Sequence, residues 1–157
     1  MARGLKVFLC GEPLRGDDGL ALRTAALLPE PARRRARLEE VGQLDLLDLT
    51  ALGPDEPCLI VDAVAGIAPG ELYAATLDTL REDVRARSSH RLPVAQTVAL
   101  AGLLRDAPVR GRFLGLGAER FDLGAELSPP VCRALPALAA AIGEEIDRHA
   151  ALETDRC

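Results

Sequence analysis

Residues 5–28 confine the chain to a strand, a glycine-punctuated loop and a helix, in that order. The run Leu5, Lys6, Val7, Phe8, Leu9, Cys10 is short and apolar, as a buried strand requires. Residues 20–28 are rich in Ala and Leu, have helical character, and are stopped by Pro29. Between them lies Gly-Glu-Pro-Leu-Arg-Gly-Asp-Asp-Gly at 11–19, with the adjacent carboxylates Asp17 and Asp18 where the helix begins. In an open α/β sheet the crevice beyond the carboxyl end of a strand is where ligands bind. A carboxylate at a helix start also accepts hydrogen bonds from free backbone N–H groups, so one acid is expected to cap the helix. Capping needs one acid only and leaves the second available for chemistry. The glycine spacing is neither G-x-G-x-x-G nor a P-loop, and no Lys-Ser/Thr follows Gly16. Two acids there would repel a phosphate, so a cation is the better guest.

The strongest strand is Cys58, Leu59, Ile60, Val61, Asp62, Ala63, Val64, continuous and apolar as a central parallel strand should be. Asp62 interrupts it near its end. A carboxylate in such a run is expected to be paired or coordinated, against the plainer reading of a turn acid ahead of Gly66. Residues 37–41 suggest a second strand, and 44–49 a short helix closing near Gly53 and Pro54. Residues 71–77, after a turn at Pro69 and Gly70, suggest a fourth strand. It follows the third too closely for a helical crossover and is expected to pair with it antiparallel. The basic run at 31–37 sits in an acidic chain without aromatic neighbours and reads as a solvated loop.

Val94, Val98, Ala101 and Leu104 give one apolar helical face, with Pro93 suited to the first helical position. His90, following Ser88 and Ser89, therefore lies in the loop ahead of that face. It becomes a candidate ligand or base because two acids already stand at strand ends. Residues 112–117 suggest a fifth strand. Ser128 is placed to cap a final helix whose buried stripe is Val131, Leu135, Leu138, Ile142 and Ile146, with Pro136 expected to kink it. His149 falls on its polar side and is expected to be exposed, and the charged tail beyond Leu152 to fray. The pattern is that of one α/β domain over residues 1–157. Three layers are expected, with a mostly parallel, twisted five-stranded sheet, one strand antiparallel, and helices on both faces.

Composition narrows the function. A length of 157 residues, 48% hydrophobic and 27% charged, suits a single soluble domain. A formal net charge of -5 argues against nucleic acid or an anionic membrane as the main partner. Neither a membrane-length apolar run nor a signal-peptide pattern is present, which points to the cytoplasm. Cys10, Cys58, Cys132 and Cys157 form no C-x-x-C pair, and Cys10 and Cys58 read as small buried hydrophobes. There is no G-x-S-x-G elbow, H-E-x-x-H helix or C-G-x-C motif, so serine, zincin and papain-type mechanisms lack their parts.

With these residues in place, the chain resembles the hydrogenase maturation proteases, endopeptidases that trim the C-terminal extension from the large subunit of nickel–iron hydrogenases. The resemblance rests on the loop at 11–19, on Val61, Asp62 and Ala63 with Gly66 behind them, on Ser88, Ser89 and His90, and on the closing stretch from Gly115 to Pro129. It implies that Asp18, Asp62 and His90 are the metal ligands and catalytic residues, and that Asp17 is the cap. The metal implied is nickel, supplied by the substrate and held weakly or not at all by the free enzyme. The implied partner is the hydrogenase large-subunit precursor, met by a monomer. Glu12 departs from the family's usual Asn and brings a further carboxylate to the loop. The stretch at 41–47 resembles the family's substrate-facing segment in shortened form. Two carboxylates and an imidazole can hold a divalent ion with positions left open. A nickel-recognising accessory protein without peptidase activity and a small-molecule metallohydrolase are the alternatives.

Overall fold

In a computed structural model, residues 3–80 and 94–156 are described. Strands β1 (Leu5–Cys10), β2 (Ala36–Val41), β3 (Cys58–Val64), β4 (Leu72–Thr76) and β5 (Gly111–Gly117) form one sheet in the order β2-β1-β3-β5-β4. All neighbouring pairs are parallel except β4 and β5. The first helix, α1 (Leu20–Ala25), follows a 3-10 turn at Gly16–Gly19 and is shorter than the sequence pattern suggested. The others are α2 (Glu30–Arg34), α3 (Leu46–Thr50), α4 (Leu77–Leu80), α5 (Val94–Arg105) and α6 (Pro129–Asp155).

Helices cover both faces because the central strands are apolar on both. Val7, Leu9, Val61, Leu114 and Leu116 share one core with Leu20 of α1 and the α6 stripe Val131, Leu135, Leu138, Ile142 and Ile146. The alternate residues Phe8, Cys10, Cys58, Ile60 and Phe113 share a second core with Leu49 of α3, Leu77 and Leu80 of α4, and Ala95, Val98 and Ala101 of α5. Successive strand side chains point to opposite faces, so an uninterrupted apolar run feeds both layers.

Several expectations are corrected. The fourth strand is antiparallel, but its partner is β5 and not β3. β5 inserts between them, with the turn ahead of β4 tied to it by Gly70 N to Gly117 O (2.9 Å) and Gly117 N to Glu71 O (2.9 Å). The basic run forms α2 and not a loop. Arg33 there donates to Ala25 O at 2.9 Å, so the guanidinium closes the open end of α1. Leu104 is exposed, and Ala95 and Thr97 take its place on the buried side of α5. His149 is mostly buried, its Nε2 lying 3.2 Å from Arg3 O and 3.4 Å from Glu153 Oε1. The charged tail does not fray at Leu152, since α6 stays helical to Asp155.

Candidate active site

The chain leaves β1 at Gly11 and turns sharply over the end of the sheet. Gly11 sits at φ +114, and a Cβ there would stand 1.9 Å from Asp18 O, so only glycine fits this approach. Gly11 N donates to Gly42 O (3.0 Å) beyond β2, and Glu12 N donates to Asp18 Oδ2 (2.8 Å). The turn is therefore pinned through backbone amides, which any residue but proline could supply at position 12. The side chain of Glu12 reaches Gly42, just beyond β2, its Oε1 only 3.4 Å from where a Cβ on Gly42 would be. Asp18 is half-buried, and among the described residues its Oδ1 takes no hydrogen bond.

Asp17 does not cap the helix. Neither the 3-10 turn nor α1 has a side-chain cap. Asp17 is instead fully buried and accepts four hydrogen bonds from the connection between β5 and α6. Oδ1 takes Ser128 N (2.7 Å), while Oδ2 takes Glu119 N (2.9 Å), Arg120 N (3.0 Å) and Ser128 Oγ (2.8 Å). Burial alone would raise this carboxyl's pKa. The bonds from Glu119, Ser128 and Arg120 outweigh burial and hold it below the usual carboxylate value. Ser128 stands at the start of α6 as expected, but its hydroxyl serves Asp17 and not the helix.

Asp62 ends the apolar part of β3 and accepts from its own Ala63 N at 2.8 Å. It alternates with Ile60 and Val64, which lie in the second core, so it faces the α3 and α5 side of the sheet. Gly115 of β5 lies opposite, and a Cβ there would meet Asp62 O at 2.3 Å, so the strands close up at this point only without a side chain.

β1 leads to β2 on one side and to β3 on the other, so the strand order reverses between β1 and β3. That is the topological switch point, where open α/β sheets bind ligands. Asp18 lies in the turn after β1 and Asp62 near the end of β3, so both acids stand at this end of the two strands that flank the switch point. Cys10 records their approach. Its thiol is pushed well up, first by burial and then by the carboxylates of Asp62, Asp48 and Asp18. A buried, protonated thiol is no nucleophile. Cys58 is likewise pushed up to about 12, mainly by burial.

Asp48 was not anticipated in this neighbourhood. It belongs to a capping box at the start of α3, where Asp45 Oδ1 accepts from Leu47 N and Asp48 N, and Asp48 Oδ2 accepts from Asp45 N. The D-x-x-D spacing was the available signal. Beside it lies a cavity of about 250 Å³ lined by Gln43, Leu44, Asp45, Leu46, Leu47 and Thr97. Thr97 is buried, and it left no mark in the sequence pattern. His90 lies outside the described residues. Among the described residues no group of three or more His, Cys, Asp or Glu is arranged to hold a metal.

Fold and site together define a doubly wound α/β protein with acids at its switch point. The sequence matches the hydrogenase maturation protease family over residues 38–145, and the chain belongs to that family of peptide hydrolases. No individual curated protein matches it. Its fold is similar to the NiFe hydrogenase maturation protease HybD from Thermococcus kodakarensis (TM-score 0.72, 22% identity, 91% of this chain and 99% of that one). It is also similar to the hydrogenase maturating endopeptidase HybD from E. coli (TM-score 0.69, 16% identity, 88% and 89% covered). A further likeness is to the endopeptidase HycI from Escherichia coli (TM-score 0.66, 20% identity, 89% and 90% covered).

Proposed function

We propose that this endopeptidase removes the C-terminal extension of a nickel–iron hydrogenase large-subunit precursor after nickel insertion, and that it reads the metal held in the substrate. What supports this reading is the placing of Asp18 just after β1 and of Asp62 near the end of β3, the strands that flank the switch point, with both carboxylates adding to the burial that raises the Cys10 thiol's pKa. Two hard oxygen donors and the imidazole of His90 make a poor resting site for nickel, which softer and more numerous donors win. A nickel ion arriving on substrate thiolates has its coordination completed by these side chains. Docked there, it fixes the scissile peptide in the crevice, and its charge polarises the carbonyl or the attacking water. Asp18 is anchored through Oδ2 on Glu12 N, which leaves Oδ1 for the substrate's metal. Water then adds to the carbonyl carbon, the C–N bond breaks, and the leaving amine takes the proton that the water gave up. The cavity at 43–47 and Thr97, on the same side of the sheet as Asp62, receives side chains flanking the cut.

The test offers one precursor with and without its nickel and follows release of the C-terminal peptide. Cleavage of the loaded form alone is expected. Equal rates for both forms would overturn metal reading and leave the carboxylates as an acid–base pair acting on water.

A further inference from the structure

Two segments at the site end of the sheet carry large apolar side chains that stand out into solvent: Leu14 (66% exposed) from the turn after β1, and Phe121 (41%) and Leu123 (71%) from the connection between β5 and α6. Single exposed leucines are ordinary on any surface. These three differ because their backbones are tied together. Gly124 N donates to Leu14 O (2.8 Å), Gly16 N to Ala125 O (3.1 Å) and Asp17 N to Arg120 O (2.7 Å). Beneath them the buried Asp17 adds its four bonds to the same connection. Loops free to move could fold such side chains back onto the body; these loops are bonded at both the surface and the base. Exposed Arg15, Glu119, Arg120 and Asp122 flank them along the same two segments. An apolar centre with a charged rim of both signs is the anatomy of a transient protein–protein interface.

We propose that this surface docks the folded body of the large-subunit precursor beside the segment that is cut, an inference that rests on the function proposed above. Position selects the occupant. Asp18 belongs to the same turn as Leu14, so a folded protein that delivers a peptide to Asp18 comes up against this turn and the connection bonded to it. A second copy of the chain seated there would cover the approach to Asp18. Preorganised apolar contacts lower the ordering cost of association, so the surface contributes binding of the precursor and not the bond-breaking step.

The experiment uses Phe121→Ser/Leu123→Asp on one segment, Leu14→Ser on the other, and Leu152→Asp at the opposite end of α6 as the control. Each is assayed for direct binding of nickel-loaded precursor, for KM and kcat of its cleavage, and for thermal unfolding. The double variant is expected to weaken binding and raise KM by about tenfold or more, with kcat within about twofold of the parent and the unfolding midpoint unchanged. Leu14→Ser should move in the same direction, and Leu152→Asp should change nothing. Parental binding and KM in both site-end variants would overturn the proposal. So would a concentration-dependent dimer of the parent that the double variant dissolves, since that assigns the surface to self-association. A parent protein that binds precursor through this surface but never cuts it would sink the peptidase reading and retain the docking.

Discussion

Replacing Asp17 by Asn removes one negative charge and exchanges a single heavy atom, yet the structure predicts a large loss of stability. The carboxylate is fully buried and accepts four hydrogen bonds, one at Oδ1 and three at Oδ2. An asparagine keeps the most bonds by placing its carbonyl oxygen where Oδ2 was. Its NH2 group then faces Ser128 N–H, donor against donor. One buried amide loses its acceptor, at about 1–3 kcal/mol, and the three remaining bonds lose their charge assistance, so the total is about 2–4 kcal/mol. That is a substantial share of the roughly 5–15 kcal/mol that holds a domain folded, and corresponds to a fall in unfolding midpoint of about 5–15 °C. A helix cap lost at an exposed end would cost typically about 1 kcal/mol. Because the folded-state pKa of Asp17 is depressed, its contribution is complete above the unfolded value of about 3.9 and is lost as pH falls through the folded value. Urea unfolding of parent and Asp17→Asn at neutral pH and down through the acid range is the assay. The difference should be widest at neutral pH and shrink in acid. A variant within about 0.5 kcal/mol of the parent at neutral pH would refute the pinning role.

Asp18→Ala, Asp62→Ala and His90→Ala should each abolish release of the C-terminal peptide, and the two half-buried acids can be removed with the thermal midpoint close to the parent's. Full cleavage by any one of the three would remove that residue from the site. Cys10→Ala should keep turnover while losing about 1 kcal/mol or more of stability, because the thiol is buried and held protonated. A folded Cys10→Ala protein without turnover would instead mark a cysteine peptidase.

The sequence by itself determined the layers. Five strand-like runs, a continuous apolar centre at 58–64 and the helical stripe from Val131 to Ile146 sufficed for a mostly parallel sheet covered on both sides, because burial on two faces is written directly into apolar runs and periods. The placing of Asp18 after β1 and of Asp62 near the end of β3 was legible too, since a carboxylate beside an apolar strand is conspicuous wherever it occurs. Only the tertiary structure decided which strand β4 pairs with, because antiparallel direction follows from a short connection, whereas partner choice depends on where β5 later inserts. It also decided the division of labour between the adjacent acids. Local sequence assigns Asp17 to the nearest free N–H groups, those of its own helix. Its actual donors, Glu119, Arg120 and Ser128, lie more than a hundred residues away and come within reach only when β5 and α6 close over the turn. A hydrogen bond is made between neighbours in space, and for Asp17 the sheet order, not the sequence, supplies them.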